Sequence, residues 1–210
     1  MSNCWNCGRA TEPPSGGAPL FCSACNALQP PPTDYYALFG LPARLAISPD
    51  DLQQSFYALS RALHPDRFVR KSERERQYSL EASSVLNDAW RTLRNPVARA
   101  EYVLRQQGFD IGEQRSSNVP PELLEEVFEL NMVLEEVRGG DDSARPQLEA
   151  ARANFLAMLR DVDRQLDELF RAWDETQRRE ELAAIRSLLN RRKYIQNLVS
   201  EVDALLPSLA

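Results

Sequence analysis

The chain is short of lysine, of histidine and of long apolar runs. Two lysines, Lys71 and Lys193, and one histidine, His64, occur in 210 residues, and the net charge is −6. That balance argues against nucleic acid as the main partner, because phosphate neutralisation needs clustered Lys and Arg. No stretch approaches the ~18 uninterrupted apolar residues of a membrane-spanning helix. No basic-then-apolar segment marks a secretory signal. The first cysteine, at residue 4, leaves no room for a transit peptide, although a processed mature form would read the same. These absences point to a bacterial cytoplasm, or to the mitochondrial matrix if the source is eukaryotic. No cysteine lies beyond residue 25. The remaining composition, 43% hydrophobic and 27% charged, is ordinary for a globular protein. A chain of this length holds one large domain or two or three small ones.

What is present falls into three stretches. The first contains all four cysteines, in Cys4-Trp5-Asn6-Cys7 and Cys22-Ser23-Ala24-Cys25. Two such pairs fit a tetrahedral four-cysteine site, because each short turn lets two thiolates converge on one ion. Gly8 suits the tight turn, and Pro13-Pro14-Ser15-Gly16-Gly17 reads as the loop of a hairpin. So small a head cannot bury a core, and metal binding supplies its folding free energy. With four protein ligands no position remains for a substrate, so the expected ion is a structural Zn2+. Rubredoxin-like iron and a redox-active dithiol are the alternatives. Gln29-Pro30-Pro31-Pro32-Thr33 then reads as a stiff extended linker.

The second stretch is charge-balanced, with eleven acidic and eleven basic residues over 33–114. Asp34 opens a short helix that Gly40 and Pro42 end. Ser48-Pro49-Asp50-Asp51 is a helix start: an N-cap, a proline at the first helical position and two acids on the positive dipole end. Leu52, Phe56, Leu59 and Leu63 give that helix one apolar face. Pro65 stops it. Ser72-Glu73 starts a further helix with Tyr78, Ala82, Val85, Leu86, Ala89 and Leu93 on its apolar face. The two pack as an antiparallel hairpin with His64-Pro65-Asp66 at its tip. Asn95-Pro96 breaks the second arm, and Val97, Ala100, Val103 and Leu104 mark a shorter fourth helix.

A histidine before a proline is by itself an ordinary surface residue. The surrounding order of elements is what resembles the J domain. Asp34-Tyr35-Tyr36-Ala37-Leu38-Phe39-Gly40-Leu41 resembles its opening, and Asn87-Asp88-Ala89-Trp90-Arg91-Thr92-Leu93 with Pro96-Val97-Ala98-Arg99 resembles its close. The resemblance implies that the loop docks on the ATPase module of a DnaK-type chaperone and stimulates ATP hydrolysis. His64 and Asp66 would be the contact groups, with Pro65 fixing the turn. No nucleophile or second base neighbours His64 in the sequence, so no enzyme activity of its own is expected. J domains also use a basic face on the helix before the loop. Here that helix carries only Arg61, while Arg67, Arg70 and Lys71 follow the loop.

The third stretch is acidic, with nineteen acidic and thirteen basic residues over 115–210. A polar linker runs from Gly112 to Val119. Pro120-Pro121-Glu122 starts a helix with Leu123, Leu124, Val127, Leu130, Leu134 and Val137 on its apolar side, and Gly139-Gly140-Asp141-Asp142 ends it. Ser143 caps a longer helix in which Phe155, Leu159, Val162, Leu166, Leu169 and Trp173 recur at coiled-coil spacing. Leu182, Ile185, Leu189, Ile195, Val199, Val202 and Leu206 mark a third. Three such helices with short connections make an antiparallel bundle. Phe128 and Met132 lie off the main stripe beside Leu124, Glu125 and Glu129. They mark either a partner surface or a broad buried face.

A J domain followed by an acidic three-helix bundle resembles the HscB family of co-chaperones. Arg94-Asn95-Pro96-Val97-Ala98-Arg99-Ala100-Glu101-Tyr102-Val103-Leu104 and Gly108-Phe109-Asp110-Ile111 resemble that family's join, and Cys4-Trp5-Asn6-Cys7-Gly8 resembles its zinc-binding extension. The resemblance implies delivery of the iron–sulfur scaffold protein to a dedicated DnaK-type chaperone for cluster transfer. By position, Leu124, Glu125, Phe128, Glu129, Met132 and Glu136 on the first bundle helix, with Tyr194 on the last, would bind the scaffold. Glu125 departs from the pattern, standing where bacterial relatives are often apolar.

The expected fold is therefore mainly α. It comprises a four-cysteine zinc-ribbon or rubredoxin-like β-hairpin head over 1–29, a J domain with an antiparallel helical hairpin over 33–107, and a C-terminal three-helix bundle over 118–210. The chain reads as a monomer, with self-association through the head as the alternative. The competing functions are a generic J protein that holds unfolded clients and a CxxC thiol oxidoreductase.

Overall fold

The computed structural model describes residues 2–11, 20–110, 123–138 and 145–206. The expected hairpin loop at 13–17, the linker at 112–119, the helix start at 120–122, the stop at 139–142 and the cap at 143 lie outside them, as does the side chain at 137. Two compact units divide the chain, Met1–Val103 and Leu104–Ala210.

In the first unit two short strands, β1 (Ser2–Asn3) and β2 (Ala10–Thr11), pair antiparallel. They flank the first CxxC, so those cysteines sit in the turn itself. An isolated bridge between Phe21 and Leu28 flanks the second CxxC in the same way. The two turns share one construction. Gly8 donates to the Cys4 carbonyl at 2.9 Å, and Asn26 donates to the Cys22 carbonyl at 2.8 Å. Both Gly8 (φ 71°) and Asn26 (φ 55°) are left-handed, the conformation that Gly and Asn reach at least cost.

Helix α1 (Tyr35–Phe39) is capped by Asp34, which accepts from Ala37, and is closed by left-handed Gly40. Helix α2 (Pro49–Leu63) starts at Ser48 with Pro49 in its first turn. Helix α3 (Glu73–Leu93) starts at Ser72 with a full capping box, Glu75 closing back on the cap. Helices α2 and α3 pack as the expected hairpin, with Phe56 stacked on Trp90 at 4.7 Å between ring centroids. Leu52 and Leu63 of α2 and Ala82, Leu86, Ala89 and Leu93 of α3 are buried. Helix α4 (Pro96–Gln106) is tied to α1 through Tyr102. Its hydroxyl donates to Asp34 at 3.1 Å, accepts from the Tyr35 amide at 3.0 Å, and its ring stacks on Tyr35. Burial above all, with the Asp34 charge, pushes the Tyr102 phenol up to about 12.

The head belongs to this same unit. Trp5 stands edge-on to Tyr78 of α3 at 6.2 Å, and the Arg74 guanidinium lies 5.0 Å over its ring. Gln29, read from sequence as the start of the linker, is instead buried and bonded into the cysteine turns. The cause is partly long-range: its side-chain Nε2 donates to the distant Cys4 sulfur as well as to the nearby Ala27 carbonyl.

In the second unit, α5 (Leu124–Arg138) packs on α6 (Arg145–Thr176), and α6 runs against α7 (Arg179–Leu205). Gln177, left-handed at φ 54°, closes the α6–α7 turn by donating to the Trp173 carbonyl at 2.8 Å. Ion pairs span the antiparallel pair at its surface: Arg152 with Asp203 at 2.5 Å, and Arg192 with Asp163 at 2.6 Å. The buried positions of α6 are Leu148, Phe155, Val162, Leu166, Phe170 and Trp173. The expected seam is corrected at two places, since Leu159 and Leu169 are only half-buried. A straight helix turns in 3.6 residues rather than 3.5, so a strict heptad drifts off the contact line. Two successive steps of four, through Leu166 to Phe170, restore it. On α7, Leu198 joins the expected core.

Candidate functional site

Three features stand out from this scaffold. The first is the cysteine cluster. Its four Sγ atoms lie within 4.8 Å of one another. Cys4 and Cys25 approach to 3.7 Å, as do Cys7 and Cys22. A tetrahedral ion bound by sulfur at ~2.3 Å requires S···S edges of about 3.8 Å, so the four ligands fit one metal. The crowded sulfurs also perturb one another. Burial pushes the Cys4 thiol up, but backbone N–H groups of Cys7 and Asn6 and the neighbouring thiols outweigh it and hold it at about 6. For Cys7 the Arg9 amide favours the thiolate, yet desolvation and the three other sulfurs push it up to about 11. A divalent cation relieves this crowding of like charge. Cys4 and Cys22 are buried, whereas Cys7 and Cys25 face solvent. Around the sulfurs, Gln29 Nε2 donates to Cys4 at 3.4 Å and to the Ala27 carbonyl at 2.8 Å, and Asn6 Nδ2 donates to Cys25 at 3.6 Å. Sequence reasoning missed both amides. Their closeness to the cysteines was the available signal.

The second feature is the loop after α2. Pro65 forces His64 into an extended backbone (ψ 129°), which ends α2 at Leu63 and strands its last carbonyls. Two hydroxyls of α3 take up the Leu63 carbonyl: Ser79 at 2.6 Å and Ser83 at 3.3 Å. Pro65–Phe68 then forms one 3-10 turn, with Arg67 donating to the His64 carbonyl at 3.0 Å. Buried Leu63 and Phe68 pin both sides of the turn. Between them the His64 and Asp66 side chains are 56% and 87% exposed. His64 Nδ1 accepts from the Asp66 amide at 3.3 Å, an arrangement that leaves Nε2 as the ring's donor. Arg67 is exposed in the turn. Arg61, also exposed, bends back to the Tyr57 carbonyl at 3.2 Å. The sequence reading missed Ser79 and Ser83. Two serines four apart beside an apolar helix face were the signal.

The third feature lies on α5. Leu124, Phe128 and Met132 are 55%, 66% and 54% exposed. The assignment of Leu124 to the buried side is therefore corrected. Leu123, one residue earlier, is fully buried, and Leu130 and Leu134 follow it on the core face. Stepping four residues at a time from Leu124 traces the opposite face. Glu125, Glu129 and Glu136 flank that stripe and are exposed. Six of the seven residues assigned to scaffold binding thus share one exposed side of α5. The seventh, Tyr194, is half-buried on α7, where burial and then the Glu201 charge push its phenol up. Among the described residues no helix is long and apolar enough to cross a membrane.

Known proteins resemble the chain over nearly all of its length. Residues 3–29 match the profile described as the co-chaperone HscB tetracysteine metal binding motif, and residues 119–203 match the HSCB C-terminal oligomerisation domain. The mouse (Mus musculus) iron-sulfur cluster co-chaperone protein HscB is 32% identical over 201 residues, which span 95% of this chain and 80% of the mouse protein. A co-chaperone protein HscB homolog of Aliivibrio fischeri is 34% identical over 174 residues, covering 82% of this chain and 96% of that protein. Among solved structures, human co-chaperone protein HscB superposes with a TM-score of 0.73 at 26% identity, covering 97% of this chain and 98% of that one. Chaperone HscB from Vibrio cholerae superposes at 0.57 with 31% identity, covering 84% and 99%.

Proposed function

The chain belongs to the HscB co-chaperone family, and we propose that it delivers an iron–sulfur cluster scaffold protein to a DnaK-type chaperone while stimulating that chaperone's ATPase. The observation that carries this reading is the His64-Pro65-Asp66 turn, pinned by buried Leu63 and Phe68 yet presenting both polar side chains outward. A rigid, exposed donor and carboxylate suit docking, because little side-chain freedom is lost on contact. Asp66 pairs with an arginine of the chaperone, and His64 donates from Nε2. Neither group does chemistry on a substrate. The ATP is hydrolysed on the partner.

The cargo is held by the α5 face. Leu124, Phe128 and Met132 supply apolar anchors, and Glu125, Glu129 and Glu136 supply an acidic rim that selects a basic counter-surface. The four-cysteine head holds one structural metal ion through Cys4, Cys7, Cys22 and Cys25. A bound divalent ion there contributes folding free energy to the head.

The test is ATPase stimulation of the cognate chaperone by this chain with and without the scaffold. Stimulation by the chain alone, raised further by the scaffold, is the expected result. Stimulation that ignores the scaffold but responds to unfolded clients would replace this reading with a generic J protein.

A further inference from the structure

The head does more than end the chain with a staple. It touches the helix that organises the docking loop. Each cysteine turn is closed by its own backbone bonds, and three side chains besides the ligands join one turn to the other. Gln29 reaches Cys4, Asn6 reaches Cys25, and the Trp5 indole donates to the Leu28 carbonyl at 2.7 Å. Trp5 lies between the first two cysteines and Leu28 lies just past the last two. A metal ion held by two cysteines from each turn would tighten this joint further. The same Trp5 ring meets α3 at Arg74 and Tyr78. Arg74 lies within the Ser72–Glu75 capping box at the start of α3, and Tyr78 directly precedes Ser79. Ser79 in turn holds the Leu63 carbonyl, the last residue before His64.

Building on the chaperone-docking role of the loop, we propose that Trp5 is a positioning residue for His64-Pro65-Asp66, and that metal in the head orders the loop through it. The contacts run from the cysteine turns to Trp5, from Trp5 to Arg74 and Tyr78, along the first turns of α3 to Ser79, and from Ser79 to the loop's base. With metal bound, Trp5 is fixed at both its N–H and its ring face, and it clamps the start of α3. Without metal only these side-chain bonds hold the turns together, so the Leu28 anchor opens more often, and with it the aromatic edge contact and the cation–π contact at the start of α3. Local opening of a helix end is governed by such contacts.

Hydrogen exchange on the full chain tests this without any partner. Chelation of the metal should speed exchange of the amides of Arg67, Lys71 and Arg76 through Leu80 about tenfold, the worth of one aromatic pair plus one cation–π contact. Amides of α7 serve as the unaffected control. Trp5→Ala with one metal per chain, counted by elemental analysis, should show the same acceleration before chelation, and chelation should add little to it. Equal exchange in loaded and chelated wild-type protein overturns the proposal. So does a metal-loaded Trp5→Ala protein that exchanges like wild type. If Trp5→Ala fails to hold metal, Arg74→Ala decides instead, because it leaves every residue of the head intact, and unchanged exchange there also overturns the proposal. Chaperone stimulation is read separately. If loaded protein gives none while exchange still responds to metal, the docking role fails and the positioning role of Trp5 stands.

Discussion

Phe128 and Leu130 sit two residues apart on α5 and face opposite ways, so the same truncation should separate binding from stability. Leu130 is 2% exposed and Phe128 is 66% exposed. Leu130→Ala removes a buried side chain and leaves a cavity against α6, which should cost about 2–5 kcal/mol of folding stability. Phe128→Ala removes a side chain only one third of which is covered, so its cost in stability should stay near 0.5–1 kcal/mol. Binding reverses the order. Fully burying a phenylalanine side chain is worth roughly 1.5–3 kcal/mol, and about two thirds of that remains for a partner to collect. The loss is then about 1–2 kcal/mol, or roughly 5–30-fold in Kd for the scaffold protein. Urea unfolding followed by circular dichroism gives the first quantity, and titration calorimetry against the cluster scaffold gives the second. Leu130→Ala, measured where it is still folded, should bind almost normally. Equal destabilisation by the two changes would show that Phe128 is packed. A stable Phe128→Ala protein with unchanged scaffold affinity would remove the α5 face from the proposed function.

Three further outcomes follow from the site. His64→Gln should abolish ATPase stimulation while leaving scaffold affinity unchanged and stability within about 0.5 kcal/mol, since the side chain is exposed; stimulation that survives would refute the role of the loop. Ser79→Ala removes the 2.6 Å donor from the Leu63 carbonyl and leaves only Ser83 at 3.3 Å, so it should cost about 1–2 kcal/mol in urea unfolding, and no loss would mean that the carbonyl is satisfied elsewhere. Elemental analysis should find one metal ion per chain, and affinity should fall as pH falls because the ligands are thiolates. Cys4, held at about 6, is already ionised at pH 7, whereas Cys7, at about 11, must give up its proton to bind. Calorimetry of metal binding in buffers of different ionisation enthalpy should therefore register proton release, and its absence would count against thiolate ligation by this cluster.

Much of the architecture was legible because it is local. The caps at Asp34, Ser48 and Ser72, the stop at Pro65 and the left-handed Gly8 and Gly40 each depend on a few neighbouring residues. Reading the stripes of α2 and α3 needed only the helical period, whereas on α5 the adjacent Leu123 and Leu124 both read as apolar-face residues and only Leu123 is buried. The long helix α6 was read less well, because a small angular drift accumulates over 32 residues and exchanges Leu169 for Phe170 at the core.

By itself, then, the sequence determined the helices, the four-cysteine cluster, the exposed tripeptide and the family to which the chain belongs. Spacing along the chain carries all of these. The tertiary structure alone decided that Gln29 serves the cysteine cluster rather than a linker, that Ser79 holds the base of the loop, and that Trp5 rests on α3. Each of these is a choice between hydrogen-bond or packing partners far apart in the chain. Such choices are settled only once the backbone has brought the competing partners within reach, and no local pattern encodes that distance.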